Sequence, residues 1–269
     1  MTDADHPVLT RRDGPVLTLT LNRPKALNSF TGALHDALMA ALKTAAADAS
    51  VRCVVLTGAG RAFCAGQDLS DPEIAPDLAP GAAPKDIGRL IEARYKPLAL
   101  LIHDFPVPVI AAVNGVAAGA GANLALNCDM VLAARSASFI QAFSKIGLIP
   151  DAGGTWLLPR LVGRARAMGL AFLGDKLPAD EAERIGLIWR CVDDAALPAE
   201  VQALAQRLAA MPVHALAETR RAFAQADATG LEGALGMEAQ VQRQLGMSAD
   251  YLEGVGAFFA KRPPTFSDR

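Results

Sequence analysis

The sequence has little net charge, few aromatic residues and no cluster of cysteines or histidines. Its 269 residues carry 26 lysines and arginines against 28 aspartates and glutamates, and aromatic residues make up only 5%. Without an excess of positive charge, the chain offers no broad surface for nucleic acid. With 52% hydrophobic residues, it is also too apolar and too weakly charged to be a disordered chain.

The four cysteines and four histidines are scattered along the chain. No two cysteines form a C-x-x-C pair and none lies beside a histidine, so the sequence does not support a zinc site and we expect no metal. We interpret the cysteines as buried, reduced thiols. The first ten residues, MTDADHPVLT, lack the apolar stretch of a signal peptide, and we expect a cytoplasmic protein.

The longest stretch without a charge runs from Phe105 to Cys128, and its 24 residues are enough to span a bilayer. However, two prolines begin the stretch and three asparagines interrupt it. A buried strand over Val109–Val113, followed by a glycine turn, accounts for it better. We therefore expect no membrane span.

Strand-like and helix-like segments alternate in the first half of the chain. The predicted elements, in chain order, are a strand over 16–21, a helix capped by Thr31, strands over 54–57 and 109–113, a helix over 120–126 and a strand over 130–134. This alternation predicts an α/β fold with crossover connections between parallel strands.

Two parts of the chain differ from this pattern. Residues 70–86 carry a proline at every fourth position, which no regular helix tolerates, so we predict either a solvated loop or a flexible cover over a binding site. After residue 195 the strand signals stop, and we predict helices over 199–210 and 212–226 and a last helix capped by Ser248. Tyr251, Val255, Phe258 and Phe259 share one face of that last helix, which predicts docking on another surface, such as a second subunit.

A glycine-rich turn, Gly115-Val-Ala-Ala-Gly119-Ala-Gly121, follows the predicted strand 109–113. Such a turn is typical of dinucleotide-binding enzymes, but no acidic residue follows at the ribose-binding distance and no Tyr-x-x-x-Lys pair is present. A glycine turn at a helix N-terminus also presents free backbone N–H groups, which are the components of an oxyanion hole. A second donor is available at the turn around Gly66-Gln67.

Five segments carry a more specific resemblance. They are NRPKALNSF (22–30), GRAFCAGQDL (60–69), PVIAAVNGVAAGAGANLAL (108–126), FSKIGLIPDAGGTWLLPRLVG (143–163) and FFAKRPPTF (258–266). Together they resemble, in order, the enoyl-CoA hydratase/isomerase (crotonase) superfamily. The resemblance implies a crotonase-type spiral of ββα units over residues 1–196 and a helical trimerisation region over 197–269, giving trimers or dimers of trimers. It also implies an acyl-CoA thioester substrate whose carbonyl oxygen is held by the backbone N–H groups of Gln67 and Ala120, with no separate cofactor.

The chain departs from the hydratases of this superfamily at both of their glutamates. It has Asn123 and Phe143 at those positions, and neither side chain can act as an acid or base. Asp151 stands where some isomerase relatives carry their acid–base aspartate. One carboxylate suits a proton shuttle, and apolar neighbours such as Trp156 would raise its pKa. A structural alternative is that Asp151 only caps the glycine turn.

A finer resemblance links residues 143–160, 163–170 and 248–262 to the isomerase branch of phenylacetate degradation, which converts ring-1,2-epoxyphenylacetyl-CoA into oxepin-CoA. We expect Asn123, Phe143 and Trp156 to line the substrate pocket. The alternatives are a Δ3,Δ2-enoyl-CoA isomerase of straight chains, a hydratase-like protein and a non-catalytic acyl-CoA-binding scaffold. The sequence leaves open whether a partner hydratase is involved.

The phosphates of coenzyme A require local positive charge, because the net charge of −2 does not attract them. Arg23, Lys25 and Lys261 are candidates for this role, and the resemblance implies that Lys261 reaches the nucleotide of a neighbouring subunit. The resemblance further implies that residues of segments 22–30 and 60–69 line the site for the adenine and pantetheine groups. These residues are Ala26, Leu27, Ala65, Asp68 and Leu69.

Overall fold

The structure, a computed structural model, describes residues 6–269. The first five residues of the segment MTDADHPVLT, in which we expect no signal peptide, lie outside this range. The strands are β1 (Val8–Asp13), β2 (Val16–Leu21), β3 (Cys53–Gly58), β4 (Ala62–Cys64), β5 (Val109–Val113), β6 (Val116–Ala118), β7 (Met130–Ala134), β8 (Ser138–Ile140), β9 (Lys176–Pro178) and β10 (Arg190–Val192). The helices are α1 (Gly32–Ala47), α2 (Ile87–Leu90), α3 (Lys96–His103), α4 (Ala120–Leu126), α5 (Gly154–Leu173), α6 (Ala179–Arg184), α7 (Leu197–Ala209), α8 (Val213–Leu245) and α9 (Ala249–Ala260).

The strands form two sheets, and from β3 to β8 consecutive strands alternate between them. One sheet has the order β1-β2-β3-β5-β7-β10, and the other has the order β4-β6-β8-β9. All neighbours from β2 to β10 in the first sheet are parallel, while β1 pairs with β2 in the antiparallel sense. Each of the pairs β3–β4, β5–β6 and β7–β8 therefore places one strand in each sheet before a helical segment follows. This is the expected spiral of ββα units.

The uncharged stretch 105–128 folds inside the protein, as predicted. It contains β5, β6 and α4, and every residue of β5 and α4 is buried. A strand covered on both faces by other layers is expected to be continuously apolar, which explains the absence of charge. Within residues 6–269, no helix combines the length and the hydrophobicity that crossing a membrane requires.

Helices cover the first sheet. In α1, Thr31 accepts a hydrogen bond from the Leu34 amide and caps the helix, whose leucines at positions 34, 38 and 42 are buried. Helix α7 packs on β2, β3, β5 and β7, and the Arg52 guanidinium donates to the carbonyl of Ala209 at its end. The packing of the core thus continues past residue 196, where sequence analysis placed the start of the helical region.

The C-terminal helices are longer than the sequence suggested. The helix predicted over 212–226 continues to Leu245, with a break at Gly230, whose φ of 67° and ψ of 176° are not helical. Ser248 caps α9 as predicted, by accepting from the Tyr251 amide. The aromatic face of α9 is largely exposed on the single chain, since Phe258 and Phe259 each retain 78% of their accessible surface.

The proline-rich segment 70–86 is irregular, as predicted, and ends where Asp86 caps the short helix α2. Between α2 and α3, residues Ile91–Tyr95 form one π-helical turn. The cysteines are free, and three of the four are buried. Burial raises the pKa of both Cys53 and Cys64 to about 12, so these two thiols stay protonated near neutrality.

Candidate active site

The first predicted backbone donor, Ala120, is the first residue of α4. The preceding Gly119 ends the turn after β6 with a positive φ of 52°. The first amides of a helix have no acceptor within the helix, and they lie at its partially positive end. Helix α4 can approach β4 closely only because residue 121 is glycine, since a Cβ there would collide with the carbonyl of Cys64.

The second predicted donor, Gln67, lies in a short parallel bridge with Phe30. In this bridge the Phe30 amide donates to Gly66 O at 2.7 Å, and the Asp68 amide donates to Phe30 O at 2.9 Å. Because successive amides of an extended segment point to opposite sides, the Gln67 N–H points away from Phe30. Gly66 has a φ of +92°, and a Cβ at this glycine would lie 2.8 Å from Ala118 O and 3.6 Å from Ala120 N. The two predicted donors are therefore brought to neighbouring positions.

The Gln67 side chain is held at both ends of its amide. Its Nε2 donates to Phe30 O at 3.1 Å, and its Oε1 accepts from the Tyr95 hydroxyl at 2.7 Å. Tyr95 is buried, with 2% of its surface exposed. Sequence analysis did not identify Tyr95 as a site residue, because it lies 28 positions from Gln67 and no local pattern joins them.

Asp151 lies in a tight turn between the 3₁₀ helix Ala142–Ile146 and α5. The next two residues, Ala152 and Gly153, both have positive φ values, of 46° and 88°. One carboxylate oxygen of Asp151 is buried without a hydrogen-bond partner among the described residues. Burial raises the pKa of Asp151 to about 7, the direction predicted from its apolar surroundings.

Asn123 is fully buried and joins two parts of the site. Its Nδ2 donates to the carbonyl of Asp151 at 2.8 Å, and its Oδ1 accepts from Gln141 Nε2 at 2.9 Å. One helical turn later, Asn127 Nδ2 donates to the carbonyl of Ala152 at 2.7 Å. Asn123 of α4 and Asn127, the residue after its end, thus hold the backbone that carries the Asp151 carboxylate, so Asn123 supports the turn as well as filling space.

The other two residues predicted for the substrate pocket lie in different places. Phe143 is buried beside the oxyanion turn, since a Cβ on Gly119 would lie 3.7 Å from its Cζ. The Trp156 ring, by contrast, packs edge-to-face against His103, with 6.2 Å between centroids, and lies 4.3 Å below the Arg160 guanidinium. It lines a groove of about 1,090 Å³ between α3, α5 and α8. Trp156 is the third residue of α5 and lines this groove, so its place in the substrate pocket stays a prediction.

Two of the charged residues of the predicted coenzyme A site, Arg23 and Asp68, neutralise each other in part. The Arg23 guanidinium donates to Asp68 Oδ2 at 3.0 Å and to Ser29 O at 2.5 Å. Hydrogen bonds from Ser70 and from Arg23 hold the pKa of Asp68 below its usual value. Arg23 therefore links segment 22–30 to segment 60–69, and its positive charge is already paired with the Asp68 carboxylate.

The remaining residues of this predicted site come from two segments that the fold joins. The Ala65 amide donates to Leu27 O at 3.0 Å, which brings Ala65 beside the turn containing Ala26 and Leu27. Leu69 is 54% exposed and Lys25 is exposed on the 3₁₀ helix Pro24–Ala26. Lys261 is exposed at the end of α9, and its contact with a neighbouring subunit stays a prediction.

Comparisons with known proteins agree with this architecture. A family model described as enoyl-CoA hydratase/isomerase matches residues 11–269. The 1,2-epoxyphenylacetyl-CoA isomerase of Escherichia coli strain K12 is 52% identical over 97% of this chain and 98% of its own. The 2,3-dehydroadipyl-CoA hydratase of the same organism is 36% identical over 97% and 99%. A crystal structure of the enoyl-CoA hydratase of Mycobacterium smegmatis matches with a TM-score of 0.86 and 36% identity, over 97% of this chain and 98% of that one.

Proposed function

The chain belongs to the enoyl-CoA hydratase/isomerase family, and from this premise we propose that it is an isomerase of acyl-CoA thioesters in which Asp151 moves the proton. One observation carries the proposal. Asp151 has a carboxylate oxygen that is buried without a hydrogen-bond partner among the described residues, and its pKa is raised to about 7. By the resemblance described above, Asn123 and Phe143 stand at the positions of the two hydratase glutamates. A base with a pKa near the working pH both accepts and returns a proton readily.

The proposed reaction moves one proton and conserves all atoms. The Asp151 carboxylate takes a proton from the carbon next to the thioester, and the electron pair of that C–H bond moves onto the thioester oxygen. The N–H groups of Gln67 and Ala120 stabilise the resulting enolate, a contribution whose loss typically costs about 10²–10³-fold in rate per donor. The protonated Asp151 then returns the proton to a carbon further along, and the double bond moves accordingly.

We propose ring-1,2-epoxyphenylacetyl-CoA as the substrate. The 52% identity to a 1,2-epoxyphenylacetyl-CoA isomerase over nearly the full length of both chains supports this choice. In such a substrate, cleavage of the C–C bond shared by the epoxide and the six-membered ring gives the seven-membered oxepin. Transfer of a proton from the carbon next to the thioester to the ring then conjugates the new double bond with the thioester. Only the second step requires a base, so one carboxylate is sufficient.

Hydration is the second candidate, because the 2,3-dehydroadipyl-CoA hydratase is a relative at 36% identity. Addition of water needs one group to activate the water and another to protonate the adjacent carbon. The chain offers Asp151 but has an amide and a phenyl ring at the other two positions. We therefore expect hydration of crotonyl-CoA to be far slower than isomerisation.

A substrate panel tests the proposal. Wild type, Asp151→Asn and the exposed control Asp175→Asn are assayed with the ring-epoxide thioester, a straight β,γ-enoyl-CoA and crotonyl-CoA. We expect turnover of the ring-epoxide thioester by wild type and the control, and none by Asp151→Asn, which should still bind coenzyme A thioesters. Wild-type turnover by Asp151→Asn would refute the assignment of the base. Hydration at hydratase-like rates would favour the second candidate, and binding without any turnover would favour a scaffold.

We also propose that the chain works as a homo-oligomer, a trimer or a dimer of trimers. Exposed apolar side chains on α8 and α9 support this, among them Phe223 at 75% exposure and Phe258 and Phe259. Lys25 and Lys261 would supply the positive charge for the coenzyme A phosphates, with Lys261 acting across the subunit interface. Light scattering of wild type and of a Phe258→Ser/Phe259→Ser variant tests the assembly, and a monomeric wild type would refute it.

A further inference from the structure

Tyr95 occupies an unusual place in the chain. It ends the π-helical turn Ile91–Tyr95 between α2 and α3. A π-helical turn inserts an extra residue into a helix and is frequently found at functional sites. The side chain is almost completely buried, so its position is fixed by packing.

Two aromatic contacts hold the Tyr95 ring. Phe30 packs against it edge-to-face, with 5.6 Å between centroids, and His35 does the same at 4.5 Å. His35 also stacks on Phe30 at 4.4 Å. Burial lowers the pKa of His35 to about 4, so this imidazole is neutral near pH 7 and packs as an aromatic ring.

The Tyr95 hydroxyl is directed at the Gln67 side chain. It donates to Gln67 Oε1 at 2.7 Å, and Gln67 Nε2 donates in turn to the carbonyl of Phe30. The same Phe30 forms the backbone bridge on both sides of Gln67. The side chain and the backbone of Gln67 are therefore fixed by one group of residues, Phe30 and Tyr95.

Tyr95 also lies close to the proposed chemistry. It lines a small cavity together with Ala120 and Ala152, the proposed oxyanion donor and the neighbour of the proposed base. Burial raises the pKa of Tyr95 well above its ordinary value, and the charge of Asp151 adds to this effect. The hydroxyl therefore remains protonated, and its single proton is already donated to Gln67.

We propose that Tyr95 is a positioning residue that orients the Gln67 backbone N–H toward the thioester oxygen by hydrogen bonding to the Gln67 side chain. This inference rests on the proposed function, because it assumes that Gln67 N–H is an oxyanion donor. Tyr95 acts through Gln67 and does not itself donate to the substrate, since a hydroxyl has one proton.

The first test compares Tyr95→Phe with Tyr251→Phe, which removes the only other tyrosine hydroxyl from the exposed face of α9. Two quantities are measured: the steady-state parameters with the ring-epoxide thioester, and the infrared band of the ¹³C-labelled thioester carbonyl of bound phenylacetyl-CoA. An oxyanion hole lowers this carbonyl frequency by polarising the bond. For Tyr95→Phe we expect kcat to fall by about 10-fold, part of the loss expected for a whole donor. We also expect KM to change less than 3-fold and the band to return toward its frequency in free phenylacetyl-CoA.

Tyr251→Phe should match wild type in kcat and in the carbonyl band. The pH midpoint of kcat should be the same in all three proteins, because Tyr95 is neutral and does not exchange the proton. An unchanged kcat and an unchanged band in Tyr95→Phe would overturn the inference. A shifted pH midpoint would also overturn it, by assigning Tyr95 a direct part in proton transfer.

A double-mutant cycle with Gln67→Met separates positioning from general loss of packing. Methionine keeps the length of the side chain but cannot accept the Tyr95 hydrogen bond or donate to Phe30. If Tyr95 acts through Gln67, adding Tyr95→Phe to Gln67→Met should lower kcat less than 2-fold further. Multiplicative losses in the double variant would contradict the inference.

Failure of this inference and failure of the proposed function give different results. If the carbonyl of phenylacetyl-CoA bound to the wild-type protein shows no frequency shift, the proposed oxyanion hole is wrong. If wild type shows the shift and Tyr95→Phe retains it in full, the oxyanion hole stands and only the role of Tyr95 is refuted.

Discussion

The side-chain amide of Asn123 donates to the backbone carbonyl of Asp151, with 2.8 Å between nitrogen and oxygen. The same carbonyl accepts from the Gly154 amide at 2.7 Å. Asn123 belongs to α4, whose first residue is one proposed oxyanion donor, while Asp151 is the proposed base. This hydrogen bond therefore links the two halves of the proposed catalytic site.

Replacing Asn123 by alanine should reduce both activity and stability. The change leaves the buried Nε2 of Gln141 without its acceptor, at a cost on the order of 1–3 kcal/mol for an unsatisfied buried group. It also releases the Asp151 turn, and a small displacement of a base lowers turnover by roughly 10- to 100-fold. Urea denaturation and turnover of the ring-epoxide thioester measure the two effects.

The matched control is Asn114→Ala, which removes an asparagine that holds the carbonyls of Gly58 and Gly60 from the end of β5. It should lose comparable stability but retain turnover under conditions where it is folded. If both variants retain turnover, Asn123 has only a structural role.

Asn123→Glu should not create a hydratase. The Asn123 side chain lies directly against Gly154 and its hydrogen bonds are committed to Gln141 and Asp151. A longer carboxylate there would collide with the start of α5 and face the Asp151 carbonyl, which repels negative charge. We expect a destabilised protein with no gain in crotonyl-CoA hydration, measured by loss of the enoyl absorbance. Hydration increased tenfold or more over wild type would contradict this account.

The sequence predicted the ββα core well because that core is made of local patterns. Strands β5 and β7 and helix α4 have the predicted bounds, since continuous apolar runs end at glycine or polar residues. Gln67, Ala120 and Asp151 could be proposed from the sequence because turn glycines and one carboxylate mark them within a resemblance over nearly the whole chain.

What the sequence missed depends on contacts between distant residues. Tyr95 reaches Gln67 across 28 positions through a π-helical turn that has no sequence signature. The contacts of Trp156 with His103 and Arg160 were not predicted either, because the sequence does not show which way α5 turns its third residue. The prediction ended α8 too early, at residue 226, whereas the helix continues to Leu245 across a break in helical geometry at Gly230.

The raised pKa of Asp151 predicts how activity depends on pH. Deuterium exchange at the carbon next to the thioester of phenylacetyl-CoA needs the carboxylate form of Asp151. With a pKa of about 7, the exchange rate should rise with pH through a midpoint near 7 and level off above it. An exposed aspartate would place the midpoint near 4, so a flat profile between pH 5 and 9 would refute the assignment.

The same pKa predicts a stability effect of Asp151→Asn. In the folded protein Asp151 keeps its proton up to about pH 7, whereas in the unfolded chain it releases the proton near pH 4. The free energy of unfolding of the wild type therefore falls progressively between these two pH values. Asparagine removes this penalty. Relative to wild type, Asp151→Asn should gain stability as pH rises from 4 to 8, by about 1.4 kcal/mol for each unit of the pKa difference. A stability difference independent of pH, measured by urea denaturation, would show that Asp151 is not perturbed in the folded state.

Arg220 attaches α8 to the core, and its replacement should loosen the whole C-terminal region. Its guanidinium forms a two-bond ion pair with Asp129, at 2.5 and 2.6 Å, and donates to the carbonyls of Phe105 and Val107. Asp129 in turn accepts from the Val109 amide at the start of β5. The pair is largely buried, with 13% of the Arg220 side chain exposed, so removing one partner leaves a buried charge and costs about 3–5 kcal/mol.

We therefore expect Arg220→Met to lose several kcal/mol of stability against urea, while Met in place of the exposed Arg243 on the same helix changes little. Arg220→Lys should rescue only a small part of the loss, since one ammonium cannot reproduce the paired geometry and also reach the two carbonyls. Because the proposed subunit interface uses α8 and α9, Arg220→Met should also shift the assembly toward monomers in light scattering. Full rescue by lysine would show that charge alone, without the planar geometry of arginine, holds α8 against β5.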